Sequence, residues 1–212
     1  MIEVSKASEK DLQAIHDMAQ VVFRHTYRDI LSPEQMEYMM DMMYSMPNLQ
    51  IQLDEGHHYY IAYMSPDQEA GTHQESGAQR EASALPVPCG YVSVQHEGPD
   101  QDGTEIFHLH KIYVMPHAQG RGVGMRLFQT VVQHVKSVLQ ARSASDGASA
   151  IINPELAAAQ SATAKARIEL NVNKFNSAVN FYKHLGMRIL LEEDFPIGNG
   201  FYKTDYIMGL DV

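Results

Sequence analysis

Apolar positions along the chain keep two rhythms. Leu12, Ile15, Ala19, Val22 and Phe23, continued by Thr26, recur three or four residues apart, the spacing of one helix face. Ser8 stands ahead of them with Asp11 three residues on, a capping box that predicts the helix start. A second helix is predicted at "LSPEQM", with Ser32 as N-cap, Pro33 at the first helical position and Gln35 closing the box. Met36, Met39, Met40 and Met43 then share a face, which reads as adaptable core packing ahead of any ligand role. Leu127, Phe128, Val131, Val135, Val138 and Leu139 repeat the helical spacing later in the chain. The second rhythm belongs to short strand-like runs: "MIEV", "YYIAYM" (Tyr59 to Met64), "CGYVSV" (Cys89 to Val94), "FHLHKIYVM" (Phe107 to Met115) and "IELNV" (Ile168 to Val172). "NSAVNFYKHLG" predicts a short helix ended by Gly186, and "MRILLEED" with "FYKTDYIMGL" predicts a closing antiparallel pair. The expected order is β-α-α-β-β-β-α-β-α-β-β.

Two stretches keep neither rhythm. Residues 65–88 are polar and punctuated by Gly and Pro, which predicts a long hairpin loop between two neighbouring strands. Residues 143–167 are rich in Ala and Ser. Their "PELAAAQSATAKA" has helical character, but its apolar stripe is nearly all alanine. Both read as insertions into a single domain spanning residues 1–212, a length that fits one large domain with a sizeable core.

Between the strand ending near Met115 and the next helix lies "QGRGVG", Gln119 to Gly124. Glycines let the backbone take positive φ and come close to a ligand. A helix that starts there offers unpaired N–H groups and the positive end of its dipole, an anion site best suited to phosphate. Arg121 adds fixed positive charge. No Asp or Glu caps this helix, and a carboxylate there would compete with an anionic ligand. The Walker pattern is excluded, because no Gly-Lys-Ser/Thr triplet follows. The dinucleotide pattern G-x-G-x-x-G fails as well, because its third glycine would have to sit at Met125.

Charge narrows the choice of partner. The net charge of -10 disfavours nucleic acid and suits a basic small molecule. One cysteine, Cys89, allows no disulfide framework and fits a reducing compartment. No run reaches the roughly 18 apolar residues of a membrane span, so a cytoplasmic location with no membrane partner is expected. His57-His58 and His108-x-His110 raise the question of zinc. With no cysteine cluster or third ligand evident, no metal is expected.

"QGRGVG" resembles the Q/R-x-x-G-x-G/A motif of the GNAT superfamily of N-acetyltransferases, and "KIYVMPHAQGRGVG" resembles that family's strand, Pro-containing turn and helix start. Downstream, "NVNKFNSAVNFYKHLGM" is similar to the family's later Asn and helix, through Asn173, Asn176, Ala178, Phe181, Tyr182, Leu185 and Gly186. The element order agrees over nearly the whole chain. The resemblance implies the GNAT fold. That is an α/β (α+β) domain with a mixed, mostly antiparallel central sheet flanked by helices and splayed between the fourth and fifth strands. More loosely, "TYRDILSPEQMEYMMDMMYS" is similar to the N-terminal helices of the PaiA-type spermidine/spermine acetyltransferases.

The resemblance also implies a reaction: direct acetyl transfer from acetyl-CoA, the co-substrate, to a primary amine, the acceptor being a polyamine or other small amine. It assigns the pantetheine to the backbone of Ile112, Tyr113 and Val114 and the pyrophosphate to Gln119, Gly120, Arg121, Gly122, Val123, Gly124 and Met125. Asn173 and Asn176 are assigned to the pantetheine arm or the ADP end. Tyr182 matches the acid that protonates the leaving thiolate, and Phe181 beside it is the better core candidate. Judged by its distance from the glycine turn, His108 lies where several members of the family carry a catalytic Glu, which makes it the candidate base, since an imidazole near pKa 6.5 accepts protons near neutrality; a water relay is the alternative. Strict alternation puts His108, His110 and Ile112 on one face. His110, Tyr27 and Glu105 are candidates for shaping the acceptor site.

Two other readings stay open. The chain could be a protein or peptide acetyltransferase, acting on lysine or an N-terminal amine, or a sensor that binds acetyl-CoA without turnover. Carboxylates such as Asp29 or Glu34 in a closed cleft would favour polyamines. The sequence is silent on oligomeric state, and a homodimer is left open.

Overall fold

The computed structural model describes residues 1–65, 85–150 and 165–212, with side chains from 145 to 150 left out. The described elements run β1 (Ile2–Lys6), α1 (Leu12–Tyr27), α2 (Pro33–Tyr44), α3 (Met46–Asp54), β2 (His58–Met64), β3 (Val87–Pro99), β4 (Glu105–Val114), α4 (Val123–Ala150), β5 (Ala166–Asn173), α5 (Ala178–His184), β6 (Arg188–Gly198) and β7 (Phe201–Asp211). The strands form one sheet in the order β1-β2-β3-β4-β5-β7-β6. Only β4 and β5 run parallel; every other neighbouring pair is antiparallel. This is the mixed α/β sheet that the motifs implied.

Each face of the sheet is closed by helices. On one face, Leu127, Val131 and Val135 of α4 are fully buried against Val92, Phe107, Ile168 and Leu170. On the other, Ile15, Ala19, Phe23, Met40, Tyr44 and Leu49 of α1–α3 cover Tyr59, Ile61 and Tyr91. Truncating one such side chain, as in Leu127→Ala, costs about 2–5 kcal/mol. The predicted caps are present: the Ser8 N–H donates to the Asp11 carboxylate at 2.8 Å, and Ser32 Oγ accepts from the Gln35 N–H at 3.2 Å.

The pattern differs from the structure in three places. A third helix, α3, follows α2 after Ser45, where two were expected. It has only nine residues, begins with Met46-Pro47 and buries only Leu49, too little periodicity to register. The first insertion is shorter than 65–88, because Val87 and Pro88 already belong to β3. In the second, α4 continues to Ala150 and Ala166–Arg167 open β5, while the alanine-striped "PELAAAQSATAKA" falls mostly outside the described residues.

Candidate active site

β4 and β5 pair only through Glu105–His108 and Ala166–Glu169. Beyond those residues β4 stays with β3 and β5 stays with β7, so the two strands part. The wedge between them is a cavity of about 460 Å³. It is lined on one side by Leu109 to Val114, on the other by Leu170 to Val172, and at its mouth by the glycine turn and α5.

The turn has the shape an anion needs. Gly120 and Gly122 hold φ of 74° and 84°, the left-handed region that glycine enters without strain. A Cβ on either would meet nothing within 4 Å, so both face open space. The bond that opens α4 runs from the Arg126 N–H to the Gly122 carbonyl, which leaves the N–H groups of Val123, Gly124 and Met125 ahead of the ladder. No acidic residue sits in the first turn of α4. A pyrophosphate fits this turn. Of the residues assigned to it, Gln119, Gly120, Gly122, Val123, Gly124 and Met125 line the cavity. Arg121 is not among the lining residues; its guanidinium lies 3.6 Å from Met64 Sδ. Ile112, Tyr113 and Val114 line the wedge as expected.

A second cavity, of about 400 Å³, opens on the α1–α3 side. It shares Tyr27, His110, Lys111, Tyr113 and Asn171 with the first, so these five residues stand where the two meet. Its far wall is apolar, from Phe23, Leu31, Met39, Met42 and Met43. The methionine stripe of α2 therefore serves as core and as cavity wall together.

A β-bulge decides which β4 side chains reach this cavity. The register steps from Ser93 opposite Lys111 to Val94 opposite Leu109, leaving His110 unpaired. Alternation resets there. Ile112 and Val114 turn to the α4 face with Phe107 and Leu109, while Tyr113 joins the α1–α3 side. His108, His110 and Ile112 do not share one face as strict alternation predicted. His108 and His110 line the second cavity with their rings 4.5 Å apart, and Ile112 does not.

Burial governs the chemistry of this cluster. Desolvation, helped by Lys203 and Lys111, lowers His108 to about 4; helped by Lys111 and neighbouring histidines it lowers His57 to about 4; and helped first by His108 and His57 it lowers His110 to about 2. All three imidazoles are neutral at pH 7 and keep an acceptor nitrogen. His110 Nε2 lies 3.0 Å from Gln95 Oε1, and His57 Nδ1 lies 3.0 Å from Ser93 Oγ. His108 Nδ1 stands 3.8 Å from Glu97, a half-exposed carboxyl raised by its own desolvation. Tyr182 is 7% exposed and lines the wedge. Burial, then Tyr27, holds its phenol well above 10, so it keeps its proton at neutral pH. Phe181 is less buried than Tyr182 and also lines the wedge, against the expectation that it was the core residue of the pair.

Other assigned residues sit elsewhere. Asn173 lines the second cavity, not the wedge, and its Oδ1 accepts the Phe175 N–H at 3.0 Å. Asn176 lines the wedge, caps the Ala178 N–H at 2.9 Å and donates to the Tyr27 hydroxyl at 3.5 Å. Glu105 lines neither cavity; it pairs with His96 and Arg142. Asp29 and Glu34 are exposed and line neither. Among the described residues no group of three or more His, Cys, Asp or Glu is placed to hold a metal ion.

The residue that sequence reasoning missed is Lys111. It is 5% exposed and its ammonium donates to Gln52 Oε1 at 2.6 Å. Burial lowers it to about 7. Its signal was present: a lysine inside "FHLHKIYV" cannot be an ordinary buried strand residue. Asn171, Lys203 and Asp205 were missed too, and only the sheet order brings them to the cavity.

The model of the acetyltransferase (GNAT) domain matches residues 79–188, more than half of the chain. The chain belongs to the GNAT family of acetyltransferases. It is thus an acyl-CoA-dependent N-acetyltransferase, with acetyl-CoA as co-substrate. Solved structures share its fold. The PaiA N-acetyltransferase of Thermoplasma acidophilum in complex with coenzyme A is 17% identical, with 100% of this chain and 99% of that one covered and a TM-score of 0.63. Arabidopsis thaliana NAA60 in complex with acetyl-CoA is 15% identical over 100% and 99%, with a TM-score of 0.59. The ribosomal-protein-S18-alanine N-acetyltransferase of Escherichia coli is 14% identical over 100% and 94%, with a TM-score of 0.56. No curated protein matches the chain. No helix among the described residues is long and apolar enough to cross a membrane.

Proposed function

We propose that this GNAT enzyme transfers the acetyl group of acetyl-CoA to a primary amine by direct attack, with the amine seated in the second cavity. One observation carries the reading: the two cavities meet at Tyr27, His110, Lys111, Tyr113 and Asn171, so donor and acceptor can approach from opposite sides of one point. The co-substrate supplies an activated acetyl thioester. The free edge of β4 at Ile112, Tyr113 and Val114 aligns the pantetheine as an added strand would lie. The N–H groups of the Gly120–Met125 turn hold the pyrophosphate.

Two protons move. The acceptor ammonium must lose one before its lone pair can attack the carbonyl carbon, and the departing thiolate must gain one as the C–S bond breaks. Tyr182 supplies the second, by its place in the wedge and its retained proton. His108 takes part in removing the first. Held to about 4, its imidazole is a weaker base than the free side chain, so it serves as a relay that hands the proton on to Glu97, which opens to solvent. His110, at the junction, stands between His108 and the wedge. Residues 1–212 act as one catalytic domain, supported by a sheet that takes strands from both ends of the described chain. A cytoplasmic location is supported by the single, buried Cys89.

The test is thiol release from acetyl-CoA with spermidine, amino acids and lysine peptides offered separately, with the acetylated product identified by mass. Release together with an N-acetylated product supports the reading. Acetyl-CoA binding with no release for any amine favours the sensor.

A further inference from the structure

The charges around the second cavity point to a kind of acceptor. A polyamine carries several ammonium groups, and burying them together is costly unless carboxylates balance the charge. The lining offers one acidic residue, Asp205, whose Oδ2 is already 2.9 Å from the Lys203 ammonium. Its Oδ1 takes no hydrogen bond among the described residues, which leaves room for one ammonium and not for a string of them.

Lys111 carries the opposite imbalance. It is 95% buried, lines both cavities and has no carboxylate partner among the described residues. A lysine ammonium has three donors. One goes to Gln52 Oε1, which also accepts from the Tyr59 hydroxyl. The Gln52 amide is fixed in turn by its bond to the Met43 carbonyl at 3.0 Å. The rings of Tyr44 and Tyr59 lie 5.7 and 5.6 Å from Nζ, and they stabilise the cation without neutralising it. Holding a lysine so deep without a counter-ion costs free energy, which one hydrogen bond and two rings offset only in part, and no carboxylate among the described residues completes the pair. Burial alone depresses the group, with no carboxylate holding it up. A ligand anion would complete the pair.

We propose that the acceptor is a monoamine that also carries a carboxylate, bound by Lys111, with an apolar body lying against Met39, Met42 and Met43. This rests on the acetyl-transfer reading and names its substrate class.

N-acetyl-L-methionine and N-acetyl-L-methioninamide are suitable probes, since they differ only in the carboxylate. Calorimetric titration of each into the full chain saturated with CoA reads the site without turnover. The acid should bind about tenfold tighter than the amide, the gain of one charge-assisted hydrogen bond. Lys111→Met should bring the two to parity. Equal affinity in the wild type, or binding of neither by protein that binds CoA, overturns the proposal, and neither result depends on the variant folding. Thiol release with L-methionine, L-methioninamide and spermidine separates the two claims. Faster release with spermidine or the amide than with the acid overturns the carboxylate class while keeping the acetyltransferase. No release with any of them, alongside tighter binding of the acid, overturns methionine as the acceptor while supporting the Lys111 anion site.

Discussion

The wedge between β4 and β5 presents a glycine turn and a strand edge, and the cavity beside it presents a cluster of polar side chains. In the wedge, the groups proposed to hold the co-substrate are N–H groups of one six-residue turn and one strand edge, all drawn from residues 112–125. In the second cavity, Gln52 comes from α3, Lys111 from β4, Asn173 from β5 and Asp205 from β7. A backbone site needs a conformation, and conformation is written locally in glycines. A side-chain site needs elements far apart in sequence to meet, and its identity waits on the sheet order. On the proposed placement of donor and acceptor, one half of the reaction is set by a short motif, while the other half can change its acceptor residue by residue.

The sharpest way to break this division is Tyr182→Phe, which stands in the wedge but acts through a side chain. If Tyr182 is the acid, kcat should fall about 100-fold, the low end of general acid catalysis, with the Kd for acetyl-CoA unchanged. Single-turnover kinetics beside a binding titration read the two separately. Loss of affinity with kcat intact would make Tyr182 part of the binding wall instead.

Next in size is a stability effect confined to the second cavity. The folded pKa of Lys111 is about 7, against 10.5 for the free side chain. Below pH 7 the lysine is charged in both states and the burial penalty is complete. As pH rises from 7 to 10.5 the folded group is already neutral while the unfolded one is still protonated, so wild-type stability climbs. Lys111→Met should thus stabilise the chain by about 2 kcal/mol at pH 6, with a gain that shrinks toward pH 10. Urea unfolding at both values checks it, and a gain independent of pH would mean packing alone is responsible.

On the wedge side, Gly122→Val forces a β-branched residue into φ of 84° and tilts the turn's N–H groups away from a common point. The Kd for acetyl-CoA should rise about tenfold. The KM for the amine should stay put, because Gly122 does not line the second cavity. A change in both would show that the two sites are mechanically one.

The same division governs what the sequence could say. The strand, Pro116 turn, three glycines and amphipathic α4 are contiguous, so the wedge was legible from residues 105–139. The parting of β4 from β5 was legible only through family resemblance. Alternation along β4 failed at His110, because a bulge adds one residue opposite Ser93 and Val94 and no side chain announces it. Asp205 and Lys203 lie in an ordinary amphipathic strand, and nothing local distinguishes them from solvated charges. Lys111 was visible as an oddity, but its partner Gln52 lies 59 residues away on a helix that the pattern did not show.

The smallest effect sharpens the contrast most. N-acetyl-L-methionine has no titrating amine, and its carboxylate is charged throughout the neutral range. Any change in its binding between pH 8 and pH 6 comes from the cavity. His57, His108 and His110 stay neutral across that window, since they titrate at about 4 or below. Lys203 keeps its Asp205 partner. Lys111 passes from mostly neutral at pH 8 to mostly charged at pH 6, and Glu97, whose carboxyl is raised, stands beside His108 outside the cavity lining. A carboxylate that pairs with the ammonium should therefore bind several-fold tighter at pH 6, with a ceiling near the roughly tenfold ratio of charged fractions. Lys111→Met should remove the slope. Binding that is flat in the wild type would mean the carboxylate rests elsewhere. Binding that weakens toward pH 6 would mean a neutral Lys111 is the competent form, and the ammonium would then have to be excluded from the acceptor's path.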